Sequence, residues 1–259
     1  MAEIFRRVEK KYIINKEQYE KLIPELKKYM NEDKYGKSTI CNIYFDTNQY
    51  ELIRHSITKP YYKEKVRLRS YNTPQNENWK VYLEIKRKVD SVVGKRRIEM
   101  TLADFNNYIE NPKGLENSNA QIKKELDYTF KLYNLKPAMY ISYERTAFYQ
   151  KDNMDFRATF DSNVLARYYD LNLEDGSYGD LLMNPEYYIL EIKTLGSIPM
   201  WFVKIINELE IKPGNFSKYG EAYEQLIMKK QMKVVKVENY VKRYDYSFNL
   251  KQKNYKYAY

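Results

Sequence analysis

Short stretches in which apolar and polar residues alternate dominate this chain and predict β-strands. In residues 62–71, Val66 and Leu68 alternate with charged residues, so that one face of the strand is apolar and the other is charged. The same pattern predicts strands at about residues 5–14, 39–46, 62–71, 79–88, 92–100, 138–150, 154–161 and 186–194. Strands outnumber helices and do not alternate with them regularly, which favours an α+β fold with a largely antiparallel sheet.

Amphipathic stretches between the strands predict helices that begin at polar capping residues. Asn15 and Gln18 have the spacing of a capping box, and Thr101 and Ser217 are candidate N-caps of later helices. Pro24 lies within the first helical pattern and is expected to kink or divide it. The predicted helices cover about residues 16–30, 102–110, 119–132, 199–209 and 218–230.

The charged faces of the strands are unusually rich in arginine and lysine. Lys65, Arg67 and Arg69 are two residues apart and therefore share one face, where they repel one another unless an anion lies across them. If the sheet closes into an antiparallel β-barrel, such faces line a lumen that must hold water and a polyanion, because unpaired buried charge is costly. The cations expected there are Lys11, Lys65, Arg67, Arg69, Lys86, Lys95, Arg97, Arg145, Arg157 and Lys193.

Phosphate is the anion that best fits such a surface, because arginine matches its oxygens bidentately and lysine adds point charges. A few carboxylates lie among the cations, namely Glu191 and also Glu9 and Glu84. They are explained if they hold Mg²⁺ or Mn²⁺, which bind carboxylate and phosphate oxygens together. For Glu84, a local ion pair with a neighbouring lysine is an equally good explanation.

The charge of the whole chain does not account for this pattern. The 259 residues carry 45 basic and 35 acidic side chains, a net charge of +10, but residues 229–259 contribute nine basic and two acidic residues, or +7 of that total. We therefore expect one domain over residues 1–228 and a basic, tyrosine-rich tail over residues 229–259. The mean hydropathy of −0.79 and the absence of a long apolar run argue against a membrane span. The first residues do not resemble a secretion signal, which favours a cytoplasmic location.

Residue counts exclude several kinds of active site. The single cysteine, Cys41, and the single histidine, His55, exclude disulfide scaffolds and zinc sites built from several Cys and His residues. Cys41 has the setting of a buried strand residue, and no nucleophile motif surrounds His55. Neither the P-loop motif GxxxxGK(S/T) nor the dinucleotide-binding motif GxGxxG is present.

The charged motifs, taken in order, resemble those of the catalytic domain of the VTC (vacuolar transporter chaperone) family. That domain is a polyphosphate polymerase and belongs to the triphosphate tunnel metalloenzyme, or CYTH-like, superfamily. The resemblance covers about residues 4–228. It rests on nine motifs that occur in order: Arg7-x-Glu9-x-Lys11-Tyr12, Tyr44-Phe45-Asp46-Thr47, Lys63 to Tyr71, Leu83-Glu84-Ile85-Lys86, Lys95-Arg96-Arg97, Ser142-Tyr143-Glu144-Arg145, Arg157-x-Thr159-x-Asp161, Glu191-Ile192-Lys193 and Ser217-Lys218-Tyr219-Gly220.

The resemblance implies a β-barrel tunnel that transfers the terminal phosphoryl group of ATP to a growing polyphosphate chain, with Mn²⁺ or Mg²⁺ as cofactor. It assigns Glu191 to the metal. The superfamily opens with Glu-x-Glu-x-Lys, and Arg7 replaces the first glutamate here, which removes one metal ligand and agrees with the polymerase branch. The positions that match phosphate-binding residues of the family are Lys11, Arg67, Arg69, Lys86, Lys95, Arg145, Arg157, Lys193 and Lys218.

We therefore expect Arg67, Arg69, Arg145, Arg157 and Lys218 to act in catalysis, and the other cations to bind substrate phosphates. Phosphoryl transfer needs alignment and charge stabilisation rather than a covalent nucleophile, so the shortage of His and Cys is no obstacle. Two alternatives remain open, a tunnel triphosphatase and a noncatalytic module that binds polyphosphate or nucleotide. Nucleic-acid binding by the basic tail is not expected.

Overall fold

The computed structural model describes residues 8–90, 92–111 and 120–229. In these residues, ten strands form one antiparallel sheet with the order β1-β10-β8-β7-β3-β4-β5-β6, while β2 pairs with β7 and β9 with β8. The strands are β1 (Val8–Asn15), β2 (Met30–Glu32), β3 (Ser38–Asp46), β4 (Tyr62–Tyr71), β5 (Lys80–Val89), β6 (Val92–Thr101), β7 (Lys136–Gln150), β8 (Arg157–Arg167), β9 (Asp180–Leu181) and β10 (Tyr187–Thr194).

Six α-helices and one π-helix accompany the sheet in the described part of the chain. They are α1 (Lys16–Tyr29), α2 (Glu51–Ile57), α3 (Leu102–Glu110), α4 (Ala120–Tyr133), α5 (Met200–Glu208), α6 (Lys218–Ala222) and the π-helix Tyr223–Met228. The predicted α+β class is confirmed. None of the described helices is both long enough and apolar enough to cross a membrane.

The predicted start of the first helix is confirmed. The Asn15 side chain accepts a hydrogen bond from the backbone N–H of Gln18 at 2.8 Å, and the Gln18 side chain accepts one from the backbone of Asn15 at 3.1 Å. This capping box satisfies two N–H groups that would lack helical partners. α1 nevertheless runs through Pro24 to Tyr29, so Pro24 does not divide it.

The sheet is strongly curved but not closed, so the barrel part of the prediction is not confirmed. Among the described strands, β1 and β6 form the two edges and are not hydrogen-bonded to each other. The curvature still brings the first strand opposite the fifth, because the Lys86 Nζ of β5 lies 3.9 Å from the Glu9 Oε2 of β1. The inner face therefore forms an open-sided channel.

Two hydrophobic clusters pack helices against the outer face of the sheet. Val66, Leu68 and Leu83 of β4 and β5 lie under α3 and α4. Leu190 and Ile192 of β10, on the other wall of the curved sheet, also face outward and pack with α1 and α5. Each of these strands buries its apolar side chains outward, so its charged side chains face inward, as the alternation predicts.

The inner face is charged along only part of its length. A third hydrophobic cluster fills one end of it, where Ile141, Val164 and Ile189 pack against Tyr219 and Tyr223 of the C-terminal helices. The charged side chains thus occupy only part of the channel. Residues 1–7, which include Arg7, and all but the first residue of the predicted tail lie outside the described residues.

Candidate functional site: a cationic channel

The register of the sheet places the predicted cations side by side on the inner face. Lys65 of β4 is directly opposite Lys86 of β5, and Arg67 is directly opposite Glu84. On the other wall, Lys11 of β1 is opposite Glu191 of β10. The channel therefore carries both cations and carboxylates, and their pairing determines what it can bind.

Glu84 lies between two cations. Its carboxylate accepts a hydrogen bond from Arg67 Nε at 2.8 Å and lies 2.6 Å from Lys95 Nζ. Burial disfavours its ionisation, but the charges of Arg67, Arg69 and Lys95 outweigh burial and lower the pKa of Glu84 to about 2. The sequence left two explanations for Glu84, metal binding and a local ion pair with a lysine. The structure shows the ion pair, with Lys95.

Asp161 of β8 also bridges two cations. Arg145 of β7 donates to both of its oxygens, at 2.6 and 2.8 Å, and Lys218 of α6 donates to Oδ2 at 2.6 Å. Asp161 is fully buried. Burial again opposes ionisation, yet Lys218 and Arg145 lower the pKa of Asp161 to about 2. The carboxylate thus connects the sheet to a residue from the C-terminal helices.

Glu191 completes a third arrangement of the same kind. Its carboxylate lies 2.5 Å from Lys193 Nζ and 3.4 Å from Lys11 Nζ. Despite burial, these two lysines hold the pKa of Glu191 well below its usual range. Glu9 on the neighbouring strand is 4.0 Å from Lys11 and 3.9 Å from Lys86, so it links this group to the opposite wall.

Arg69 is held differently from Arg67 and Arg145, each of which forms an ion pair with a carboxylate. Arg69 is only 6% exposed to solvent. Its guanidinium donates to Asn42 Oδ1 at 3.0 Å and to the Tyr143 hydroxyl at 3.1 Å, and among the described residues no carboxylate lies within 4.0 Å. An anionic ligand would supply the direct ion pair that this buried guanidinium lacks.

Two tyrosines lie among these cations, and neither was selected as a site residue from the sequence. The Tyr44 hydroxyl accepts from Arg67 at 3.2 Å, as the Tyr143 hydroxyl does from Arg69. Burial raises the pKa of Tyr44, but Arg67 and Lys65 outweigh it and lower that pKa to about 8. Both tyrosines belong to motifs quoted above, but a tyrosine on a strand is more often a core residue, so only the neighbouring cations identify them.

Three lysines of the channel, Lys65, Lys86 and Lys95, have lowered pKa values. Burial, with repulsion from neighbouring lysines, lowers the pKa of Lys65 to about 8, and burial with repulsion from Arg67 and Arg69 does the same for Lys95. Lys65 donates to the Ser217 hydroxyl at 3.1 Å rather than to a carboxylate. Its charge is therefore available to a ligand below pH 8.

Two predicted site residues lie at the margin of this network. The guanidinium of Arg97 lies over the Tyr82 ring, 4.7 Å from its centroid, and Arg97 is exposed. Arg157 is exposed and donates from Nε to the Met154 carbonyl at 3.4 Å. Both lie on the charged face but contact none of the three bridging carboxylates. They are placed to meet a ligand that extends out of the channel.

The cysteine and the histidine lie apart from the network. Cys41 is buried on the outer face of β3, which confirms that it is a core strand residue. His55 lies on the exposed side of α2, with its ring nitrogen 3.0 Å from the Tyr62 carbonyl. Neither residue contacts the channel, so nucleophilic chemistry by either of them is not supported.

The residues around Glu191 fit a divalent metal that is shared with the substrate. Glu9 and Glu191 lie on adjacent strands and on the same face, offset by two residues in register. No group of three or more metal-binding side chains occurs in the described residues. Mg²⁺ and Mn²⁺ can be held by one or two carboxylates together with phosphate oxygens and water, so this donor set suits such an ion only when phosphate is present.

Comparison with solved structures identifies one protein of the same fold and others that resemble this chain less closely. A candidate adenylate cyclase from Bacillus halodurans is 15% identical and superposes with a TM-score of 0.52, covering 82% of this chain and 93% of its own. A candidate adenylyl cyclase from Hippeastrum, described as having a dominant triphosphatase activity, is 14% identical with a TM-score of 0.48, covering 83% and 93% of the two chains. Curated protein sequences include no significant match.

Comparison with protein families gives a match that covers most of the chain. The VTC domain family matches residues 6–227, which include every cation and carboxylate of the channel. This range agrees with the one over which the ordered motifs resemble that family. The chain therefore belongs to the VTC domain family.

Proposed function

We propose that this protein is a polyphosphate polymerase that transfers the terminal phosphoryl group of ATP to a growing inorganic polyphosphate chain. The proposal rests on one observation, the excess of cations over carboxylates on the inner face. Four carboxylates, Glu9, Glu84, Asp161 and Glu191, form ion pairs with these cations. The eleven cations are Lys11, Lys65, Arg67, Arg69, Lys86, Lys95, Arg97, Arg145, Arg157, Lys193 and Lys218. A polyanion supplies the missing negative charge.

The bridging carboxylates favour transfer to phosphate over transfer to water. A general base that activates water works best when its pKa is near the operating pH. The pKa values of Glu84 and Asp161 are instead about 2, and that of Glu191 is also lowered. The terminal phosphate of a polyphosphate chain is already ionised and needs no base, so it is the better nucleophile in this channel.

In the proposed reaction, an oxygen of the terminal phosphate of the acceptor chain attacks the γ-phosphorus of ATP. The bond between that phosphorus and the β,γ-bridging oxygen breaks, ADP leaves, and the chain gains one phosphate. Arg67, Arg69, Arg145, Arg157 and Lys218 bind the phosphoryl oxygens and stabilise charge during transfer. The remaining lysines and Arg97 hold the acceptor and the polyphosphate product.

Glu191, with Glu9 beside it, would hold Mn²⁺ or Mg²⁺ together with substrate phosphates. When bound, such an ion neutralises charge on the phosphate oxygens. In the structure, Lys11 and Lys193 form ion pairs with the Glu191 carboxylate. Substrate phosphates would attract both lysines and so free the carboxylate oxygens for the ion.

The proposal is tested by incubating the purified protein with ATP and Mn²⁺ or Mg²⁺ and separating the products on a gel. A polymerase makes long phosphate chains and ADP. Free phosphate without chains would instead indicate a tunnel triphosphatase, and tight binding without turnover a noncatalytic module. ATP and polyphosphate as ligands, the absence of nucleic-acid binding, the cytoplasmic location and the separate tail over residues 229–259 remain predictions.

A further inference from the structure

Lys218 is the one predicted site residue that does not come from the sheet. It lies at the start of α6, a helix of five residues. Its ammonium nevertheless reaches Asp161 at 2.6 Å and lies over the Tyr143 ring, 4.3 Å from the centroid. α6 continues directly into the π-helix Tyr223–Met228, and Lys218 lies in the first turn of this helical segment, so contacts outside the segment help to fix its position.

Tyr219, the next residue, makes those contacts. It is 2% exposed, and its ring stacks on the Tyr44 ring with centroids 4.6 Å apart and planes at 21°. Its hydroxyl donates to Asp46 Oδ2 at 2.8 Å. The Tyr44 hydroxyl also accepts a hydrogen bond from Arg67. Tyr219 is therefore one residue away from the cations, at the apolar end of the channel.

Asp46 connects this tyrosine to two further elements. It ends β3 and is 1% exposed. Oδ1 accepts from the backbone N–H groups of Thr47 and Leu52, and Oδ2 accepts from that of Ile53 at the start of α2. One carboxylate thereby fixes β3, α2 and α6 relative to one another, and no cation lies within 4.0 Å of it among the described residues.

The residues before Lys218 extend over the channel. Lys11 of β1 donates to the Phe216 carbonyl at 3.4 Å, and Lys65 of β4 donates to the Ser217 hydroxyl at 3.1 Å. These contacts come from two opposite walls, so the position of segment 216–219 sets the distance between two sets of cations. Tyr219 is the one buried residue of segment 216–219.

We infer that the Asp46–Tyr219 hydrogen bond is a positioning device for the phosphate site, and that it acts through Lys218. This inference rests on the proposed function, because it requires that the channel binds triphosphate. Neither Asp46 nor Tyr219 touches the substrate in this account. Loss of the hydrogen bond leaves the tyrosine ring stacked on Tyr44 but releases α6, so that Lys218 no longer meets the phosphate with a fixed geometry.

A double-mutant cycle tests the inference with inorganic triphosphate as the probe, measured by titration calorimetry. We expect Lys218→Met to weaken binding by about 10-fold and Tyr219→Phe by about 5-fold. If Tyr219 acts through Lys218, the double variant binds no more weakly than Lys218→Met alone. Tyr108→Phe is the matched control, because Tyr108 donates to Asp127 at 2.6 Å on the outer face of the sheet. It should lower the melting temperature but leave triphosphate affinity unchanged.

Two results would overturn the inference. Wild-type affinity in Tyr219→Phe would show that the hydrogen bond does not position the site. Effects of the two substitutions that multiply in the double variant would show that Tyr219 acts independently of Lys218. Failure of the unmodified protein to bind triphosphate is a separate result, which contradicts the proposed function itself.

Discussion

The side chains of the channel are held apart and kept charged by a repeated device, a carboxylate between two cations. Glu84, Asp161 and Glu191 each have this role, so the cations keep their positions before any ligand binds. At Glu84 and Asp161, such preorganisation lowers the cost of binding phosphate because the paired cations need little rearrangement. Arg69 stands outside this device, and its guanidinium is held by hydrogen bonds to Asn42 and Tyr143.

Arg69 therefore provides the most direct test of anion binding. We expect Arg69→Ala to weaken the binding of inorganic triphosphate by about 1.5 to 3 kcal/mol, the size of a charge-assisted contact. The matched control is Arg96→Ala, since Arg96 faces outward and lies 3.3 Å from Glu125. Calorimetric titration of both variants should show a loss only in the first. Equal affinities would place the ligand elsewhere.

Glu191 tests the metal. Glu191→Gln keeps the shape of the side chain but removes its charge, so metal-dependent turnover should disappear while most of the triphosphate affinity remains. Glu186→Gln is a suitable control, because Glu186 is exposed and is paired only loosely with Lys16 at 3.7 Å. Turnover measured at several Mn²⁺ concentrations distinguishes the two variants. An unchanged rate in Glu191→Gln would remove this residue from the mechanism.

The lowered lysine pKa values predict how binding depends on pH. Lys65 and Lys95 have pKa values of about 8, so both are charged at pH 7 and lose their protons as the pH rises above 8. Tyr44 has a pKa of about 8 and becomes an anion over the same range. All three changes make the channel less positive, so triphosphate affinity should fall between about pH 7 and 9.

The variant Lys95→Arg is a control for this pH dependence, because arginine stays charged throughout the range. Its affinity should fall less steeply than that of the unmodified protein when both are titrated from pH 7 to 9. A wild-type affinity that does not change over this range would mean that neither lysine contacts the ligand.

The strands place charge inward by simple alternation, except where the register changes. In β8, Arg157, Thr159 and Asp161 share the inner face, but the inner-face cluster further along contains Val164 and Ala166. The register with β7 shifts between Ser142 and Glu144. Asn163, within the affected stretch of β8, has a left-handed backbone with φ 49°. This bulge ends the charged part of the channel and begins its apolar end.

Asn163 tests that bulge. A left-handed conformation is strained for most residues and worst for β-branched ones, so Asn163→Val should lower the free energy of unfolding by about 1 to 2 kcal/mol. Asn163→Gly removes the hydrogen bond to Glu144 at 2.6 Å but keeps the conformation available. Chemical denaturation should therefore show a smaller loss for glycine than for valine. The reverse order would show that the side-chain contact, and not the backbone, determines stability here.

The sequence was a good guide to individual elements and a poor one to how they close. Asn15 and Gln18 identified a helix start because both partners of a capping box are local in sequence. Lys65, Arg67 and Arg69 identified the inner face because alternation within one strand is also local. Closure depends on the edges of the sheet, which are β1 and β6 in the described strands, and no local pattern specifies their pairing.

The same reasoning explains which parts of the site were missed. Tyr44, Tyr143 and Asn42 contact the cations only because distant strands are brought together, so their roles depend on the tertiary structure. Arg97 and Arg157 have the right alternation, yet they lie at the margin of the channel because the charged rows are longer than the enclosed part. The apolar end was missed because it combines residues from four separate strands with the C-terminal helices.

The described part of the molecule is a curved sheet with two hydrophobic clusters on its outer face. Its inner face has an apolar end and a cationic channel. The cations of this channel exceed the carboxylates that pair with them, and two of these carboxylates, Glu84 and Asp161, are weak bases with pKa values of about 2. The proposed chemistry of this channel is accordingly transfer between phosphates rather than hydrolysis.

The mass balance of ATP consumption tests this conclusion most directly. Phosphorus NMR of the protein with ATP and Mg²⁺ counts ADP, free phosphate and bridging phosphates within chains in a single sample. We predict that bridging phosphates increase in step with ADP while free phosphate stays low, and that the Arg69→Ala variant slows this conversion. Release of one free phosphate for every ADP, with no bridging signal, would contradict the account.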